Sequence, residues 1–117
     1  MNVRIWCPED ERGVRVQTIC EAFGVELADN HDGMAVWALA DAPARCIGAF
    51  REKGGPAIDY REYDYPDEFT LCFGPNHSSA GPMVDVRDGR VTIPGLGHSL
   101  YADQAMAVIL EHLRNNQ

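Results

Sequence analysis

Long apolar runs are missing from this sequence, and positive charge is scarce. Its 117 residues include 10 Lys and Arg against 18 Asp and Glu, which gives a formal net charge of -8. No stretch approaches the roughly 20 consecutive apolar residues that a membrane helix needs. The N-terminal segment MNVRIWCPEDER places acids where a signal peptide has its apolar stretch. We therefore expect one small domain, residues 1–117, in the cytoplasm and without a membrane partner.

Paired cysteine motifs are also missing. Cys7, Cys20, Cys46 and Cys72 lie far apart, with no CxxC pair and no histidine close by. Zinc ribbons and thioredoxin-like redox sites need such pairs, so we expect no metal site. Each cysteine has apolar neighbours in the sequence, where a free thiol packs as a small hydrophobic side chain. We therefore predict that the thiols of these four cysteines have a structural role.

The acidic balance disfavours unaided binding of a polyanion, because nucleic-acid affinity depends on Lys and Arg that displace counterions. Nine of the ten basic residues are nevertheless arginine, which is suited to bidentate phosphate contacts. Arg4, Arg12 and Arg15 lie close together in the sequence, beside an acidic run. They form either a local basic patch or part of an ordinary solvated face.

The order of the predicted elements favours an α/β fold. A strand, an amphipathic helix that stops at Gly24, and a second strand form a β-α-β unit, which favours a parallel sheet. We predict strands over 3–7, 25–28, 45–52, 69–73 and 90–93, and helices over 14–23, 34–44 and 99–115. Residues 57–68 are predicted to be mostly loop, and Asp88-Gly89 a hairpin-type turn. The fold class is α/β, with a mostly parallel sheet of about five strands and flanking helices.

Two predicted strands near the C-terminus lead into loops rich in glycine and proline. FTLCF runs into GPNHSSAGP, and VTI runs into PGLGHS. Ligands of open α/β sheets bind beyond the carboxyl ends of the strands, and glycines let the backbone approach a ligand closely. These loops therefore predict a small-molecule site between them.

Four segments carry a family resemblance: TICEAFGVEL, KGGPA, LCFGP and IPGLGHSLYADQAMAVIL. They occur in the order and approximate spacing of the motifs of the SPOUT class, the knotted RNA methyltransferases. The chain resembles in particular the SpoU-like ribose 2'-O-methyltransferases, over most of its length. This resemblance implies a C-terminal trefoil knot, a homodimer formed through the knot helices, and S-adenosylmethionine-dependent methylation of RNA.

The resemblance also implies where the cofactor binds. The loops after the third, fourth and fifth strands would hold S-adenosylmethionine in a bent conformation. Adenine needs apolar walls and backbone hydrogen bonds, and a sulfonium methyl donor needs no metal. The implied cofactor-binding residues are Phe50, Lys53, Gly54, Gly74, Ile93, Pro94, Gly95, Ser99 and Leu100.

Three polar positions depart from the family's motifs. Thr18 stands where the family has an arginine near the reaction centre, Asn76 where a glutamate follows FGP, and Tyr101 where SLN has its asparagine. Arg15 lies one helical turn before Thr18 and is the expected substitute for the missing arginine. The candidate catalytic residues are therefore Arg15, Asn76 and Tyr101.

Three functions stay open at this point. A reorganised site can still transfer a methyl group, because the reaction depends largely on positioning. A catalytically degenerate protein would instead bind S-adenosylmethionine, or a related nucleotide, and act through a protein partner. An α/β nucleotide-binding domain would hold phosphate in PGLG, although the chain has no P-loop and no GxGxxG. His77 and His98 are either general bases or solvated loop residues.

Overall fold

Six parallel strands form one sheet in the part of the chain that the computed structural model describes, residues 2–31, 33–39, 57–74, 84–85, 87–95 and 100–116. The strands are β1 (Asn2–Trp6), β2 (Glu26–Leu27), β3 (Ala35–Leu39), β4 (Ile58–Asp59), β5 (Glu68–Phe73) and β6 (Gly89–Thr92). Their order in the sheet is β2-β1-β5-β3-β6-β4. The helical elements are a 3₁₀ turn (Glu9–Glu11), α1 (Val14–Phe23) and α2 (Ala102–Asn115). The predicted α/β class and parallel sheet are confirmed.

The N-terminal β-α-β unit forms as the sequence predicts. Val16 and Cys20 are the buried residues of α1 and lie one helical turn apart, which gives the helix a single packed side. The helix ends at Gly24, whose left-handed φ of 68° is a conformation that glycine adopts at little cost. The chain then enters β2, which pairs in parallel with β1.

Both helices pack on one face of the sheet, which we call the helix face. Helix α2 buries the apolar stripe that the sequence predicts, and α1 packs beside it in the same core. The buried residues of α2 are Ala102, Met106, Ile109, Leu110 and Leu113. Burial of apolar surface stabilises the folded chain by about 25 cal/mol per Å². The buried side chains of α2 therefore hold this helix against the strands.

The opposite face has an apolar core of its own. Ala35, Trp37 and Leu39 of β3 lie there beside Cys72 of β5, and Val84 packs against them. Trp37 has no exposed surface, and its indole Nε1–H donates a hydrogen bond to Asp88 Oδ2 at 2.9 Å. The sheet is therefore buried on both faces at its centre, as is usual for parallel sheets.

The helix predicted over 34–44 is wrong where the structure describes it, because Ala35–Leu39 is strand β3. Four of its five residues are buried, and the strand lies between β5 and β6 in the interior of the sheet. A strand covered on both faces has no alternation of apolar and polar residues, so its sequence looks like that of a buried helix.

One further prediction fails in the C-terminal half. The hairpin around Asp88-Gly89 does not form, since β6 pairs in parallel with β3 and β4 instead. Residues 57–68 are mostly loop, as predicted, and include the two-residue strand β4. The strand predicted over 45–52 lies outside the described residues. Helix α2 starts at Ala102, three residues later than predicted, and ends at Asn115 as expected.

Gly89 is a position where any side chain would collide with its surroundings. A β-carbon there would overlap the Tyr63 hydroxyl and lie 2.9 Å from Tyr63 Cζ and 3.2 Å from Val36 Cγ2. We expect Gly89→Ala to lower the free energy of unfolding by about 1–3 kcal/mol, the usual cost of overpacking. Urea denaturation measures the loss.

Gly13→Ala is the matched control for this substitution, because a β-carbon at Gly13 meets no atom within 4 Å. In a Tyr63→Phe background the Gly89→Ala loss should shrink, since the overlapping hydroxyl is gone. Equal losses in Gly13→Ala and Gly89→Ala would contradict this account of the contact.

Candidate functional site

The carboxyl ends of three neighbouring strands bring two predicted site segments to one edge of the sheet. β5, β3 and β6 are consecutive in the sheet, so Gly74 after β5 and Ile93 after β6 emerge at the same edge. They are separated by two strand spacings, about 10 Å. This is the edge at which open α/β sheets bind ligands.

The turn after β6 has an open backbone. Gly95 is exposed and has a φ of 80°, and a β-carbon there would meet no atom within 4 Å. Ile93 packs its side chain against the core of the helix face, and Pro94 is half-buried. The turn is thus anchored on one side and has free space beside Gly95, which suits the close approach of a ligand to the main chain.

Arg15 lies at the same edge as these two segments. Helix α1 has 10 residues, about 15 Å of rise, and leads into β2, which runs parallel to β1. Its first turn therefore lies near the carboxyl end of β1, the strand next to β5. Arg15 is exposed there and has no ion pair with any of the described residues.

Leu100 and Tyr101 lead into helix α2. Tyr101 is the N-cap residue, and its backbone N–H donates to Gln104 Oε1 at 2.9 Å. Its side chain is 46% exposed. The phenol is thus partly exposed at the start of the helix. The other predicted site residues, Phe50, Lys53, Gly54, Asn76 and Ser99, lie outside the described residues, as do His77 and His98.

Of the two alternatives for Arg4, Arg12 and Arg15, the local basic patch does not form, because the Arg12 side chain turns inward. Its Nε donates to the Cys7 carbonyl at 3.0 Å and its Nη2 to the Ala28 carbonyl at 2.7 Å. These carbonyls follow β1 and β2, so Arg12 ties the ends of two neighbouring strands together. Arg4 is a half-buried strand residue, and Arg15 alone of the three is exposed on a helix.

Arg4 faces a cleft of about 230 Å³ with mixed charge, at the β2 end of the sheet. Its lining residues are Arg4, Glu26, Ala28, Asp29, Asn30 and Thr70. Because carboxylates accompany the single guanidinium, the cleft has no surplus of positive charge for RNA.

Sequence reasoning missed a cluster of aromatic rings near the centre of the sheet. The His31 ring contacts Trp6 and Trp37 edge-to-face, with centroids 4.6 and 5.4 Å apart, and the two indoles are 5.9 Å apart. Residues 6, 31 and 37 are far enough apart in sequence that only the strand pairing brings them together. Neither Trp6, which lies between the alternating apolar residues of β1, nor His31 carried a local signal for this cluster.

The three described cysteines, Cys7, Cys20 and Cys72, are free and buried, as predicted. Burial raises the pKa of Cys7 to about 11 and that of Cys72 to about 12, from an ordinary 9.0. It also raises the pKa of Cys20. These thiols are protonated at neutral pH, so none of them has the low pKa of a nucleophile.

We expect these thiols to resist alkylation. At pH 8 the thiolate fraction should be roughly 100-fold lower at Cys7 and 1000-fold lower at Cys72 than for a thiol of pKa 9. Site-resolved mass spectrometry after iodoacetamide treatment, with and without urea, measures the difference. Rapid labelling of Cys72 in the folded chain would contradict its burial.

The same pKa shifts predict a pH dependence of stability. A thiol whose folded pKa is raised stabilises the fold fully below its unfolded pKa near 9. That contribution is lost as the pH rises towards 11 for Cys7 and 12 for Cys72. The free energy of unfolding should therefore fall with pH above about 9.

Within the described ranges, no three His, Cys, Asp or Glu side chains form a group that could hold a metal ion. No helix in this part of the chain is long and apolar enough to span a bilayer. Comparison of the chain with protein-family models, with curated proteins and with solved structures gives no match in any of the three.

Proposed function

We propose that this chain is an S-adenosylmethionine-dependent methyltransferase of SpoU-like type that methylates the ribose 2'-O of RNA. It acts as a cytoplasmic homodimer with a C-terminal trefoil knot. The observation that carries the proposal is the arrangement at the carboxyl edge of the sheet. Gly74 and the turn Ile93-Pro94-Gly95, which belong to two of the resembling motifs, emerge there from β5 and β6.

The described residues fit such a cofactor. Gly95 is exposed and has open space where a β-carbon would stand, which suits the close approach of an adenine to the turn. Ile93 packs against the core of the helix face and anchors this turn. S-adenosylmethionine supplies the methyl group when bound. Arg15, at the first turn of α1, orients the ribose hydroxyl. The Tyr101 phenol takes up the hydroxyl proton as it gives its own proton to solvent water.

A second candidate is a catalytically degenerate module that binds the cofactor, or a related nucleotide, and acts through a protein partner. The charge distribution favours it, because the chain has a net charge of -8 and several arginines are already engaged. Arg12 binds carbonyl groups, Arg61 pairs with Asp59, and Arg114 pairs with Glu111. RNA binding would then depend on the partner.

Calorimetric titration with S-adenosylmethionine and with its demethylated product tests the cofactor site. We expect micromolar binding of both, and at least tenfold weaker binding in Gly95→Val, because the new side chain fills the space beside the turn. Gly33→Val is the matched control: Gly33 has a φ of 89° and open surroundings, yet it precedes the amino end of β3. The affinity of the Gly33→Val variant for both compounds should stay unchanged.

The outcomes separate the candidates. Binding without transfer to any RNA supports the degenerate module. Absence of binding to the wild-type protein at millimolar cofactor would reject the methyltransferase and leave only a module that binds a related nucleotide. Equal weakening by Gly95→Val and Gly33→Val would show that backbone strain, and not the site, causes the loss.

A further inference from the structure

Two polar side chains of β6 are buried without full hydrogen bonding. Arg90 is 8% exposed and Thr92 is 6% exposed. Arg90 Nη1 donates to the Asp88 carbonyl at 3.0 Å and Nη2 to the Asp85 carbonyl at 2.8 Å. Arg90 Nε and Thr92 Oγ1, by contrast, have no hydrogen-bond partner in the described structure.

The Arg90 guanidinium also has no ion pair with any described residue. Both of its hydrogen-bond acceptors are neutral carbonyls. The Asp88 carboxylate instead accepts hydrogen bonds from the Trp37 indole and the Asp85 backbone N–H. A buried cation and two unpaired polar atoms cost folding free energy, so a compensating group is to be expected.

Arg90 and Thr92 project from the same face of the sheet. Trp37 and Leu39, their register partners on β3, belong to the core of the opposite face. Alternate residues of a strand point to one side and lie about 7 Å apart. A single oxyanion with two or more oxygens can span that gap, accepting from Arg90 Nε–H at one end and from the Thr92 hydroxyl at the other.

We propose that Arg90 and Thr92 bind an oxyanion of a ligand, either a carboxylate or a phosphate group. Thr92 is the last residue of β6, so this position lies at the carboxyl edge, directly before the Ile93-Pro94-Gly95 turn. A carboxylate would come from the amino-acid part of S-adenosylmethionine, and that source rests on the proposed function. A phosphate would come from a nucleotide and does not depend on it.

Binding must open a path to the buried atoms. The Asp85 and Asp88 carbonyls lie against the guanidinium, and the Asp88 side chain holds the Trp37 indole. An anion that reaches Arg90 Nε therefore disturbs the surroundings of Trp37. Tryptophan fluorescence and the NMR resonance of the Arg90 Nε–H group report this directly.

Thr92→Val and Arg90→Lys are the test variants, with Thr92→Ser as the control that keeps the hydroxyl. The probes are inorganic phosphate, S-adenosylhomocysteine and methylthioadenosine, which lacks the amino-acid carboxylate; sodium chloride controls for ionic strength. Thr92→Val is nearly isosteric and removes an unpaired hydroxyl, so this variant should fold and melt at a temperature no lower than wild type. Its affinity for the anion should nevertheless fall at least tenfold.

Each probe gives a distinct result. If the group is a carboxylate, Thr92→Val and Arg90→Lys weaken S-adenosylhomocysteine at least tenfold and leave methylthioadenosine unchanged. If it is a phosphate, inorganic phosphate shifts the Arg90 Nε–H resonance and raises Tm by roughly 6 °C at ten times its Kd, and Thr92→Val abolishes both effects. Failure of both nucleosides to bind, with the phosphate response intact, would reject the proposed function and keep the oxyanion site.

The proposal is overturned if no probe shifts the Arg90 Nε–H resonance in the wild-type chain. It is also overturned if Thr92→Val binds every probe as tightly as Thr92→Ser does. In either case the two unpaired atoms would lower the stability of the fold and would have no role in binding a ligand.

Discussion

Replacing Trp37 with alanine is expected to lower the free energy of unfolding by about 3–5 kcal/mol, the range for removal of a large buried aromatic side chain. Trp37 has no exposed surface and lies on the central strand β3, in the core of the opposite face. The substitution also leaves the Asp88 carboxylate without its indole donor. Because small domains are stable by only about 5–15 kcal/mol, this variant should be close to unfolding at 37 °C.

Urea denaturation followed by far-UV circular dichroism measures this loss. Val108→Ala is the control, since Val108 is 37% exposed on α2 and should change stability by no more than about 0.5 kcal/mol. Trp37→Phe should fall between the two, because it keeps most of the apolar contact and loses the hydrogen bond. A Trp37→Ala midpoint equal to that of Val108→Ala would show that the opposite face contributes little to the fold.

Removing the Arg15 side chain is expected to lower the rate of methyl transfer to RNA by about 10²- to 10⁴-fold, the usual contribution of a group that orients or deprotonates the nucleophile. The affinity for S-adenosylmethionine should stay unchanged, because Arg15 lies on α1 and the implied cofactor residues lie on the loops. The assay follows transfer of a labelled methyl group to total RNA under single-turnover conditions.

Arg114→Ala is the matched control for Arg15→Ala. Arg114 is exposed in the last turn of α2, where it pairs with Glu111, so its loss changes net charge equally without touching the carboxyl edge. We expect full transfer activity in Arg114→Ala and partial activity in Arg15→Lys. Equal losses in the two alanine variants would point to general electrostatic attraction of RNA, and the catalytic role of Arg15 would be rejected.

Local sequence patterns predicted the elements that have one buried side. Helix α1 and helix α2 each have apolar residues at helical spacing, and Gly24 marks the end of α1. Strand β1 alternates buried and partly exposed residues. One-sided burial against a neighbouring layer produces such periodic patterns. β5 and β6 are buried on both faces and were predicted instead from the polar or glycine-rich segments that bound them.

The elements that failed depend on contacts distant in the chain. β3 is buried on both faces, so its apolar run has no period, and β4 is a two-residue pairing with β6. The order of strands and glycine-rich loops in the sequence was sufficient to predict that Gly74 and Ile93 follow parallel strands at one edge of the sheet. Arg90 and Thr92 escaped notice because a charged residue in a strand is ordinarily exposed, and only the packing of the opposite face buries them.

The short strands at the two ends of the sheet have a consequence for behaviour at high concentration. β2 and β4 are the end strands of the described sheet, and each contributes only two residues. Fibrils and domain-swapped assemblies usually grow from long, flat edge strands with free backbone groups. Exposed Glu26 on β2 adds charge repulsion to that edge. Copies of this chain should therefore associate through side-chain surfaces and resist amyloid-like growth from this sheet.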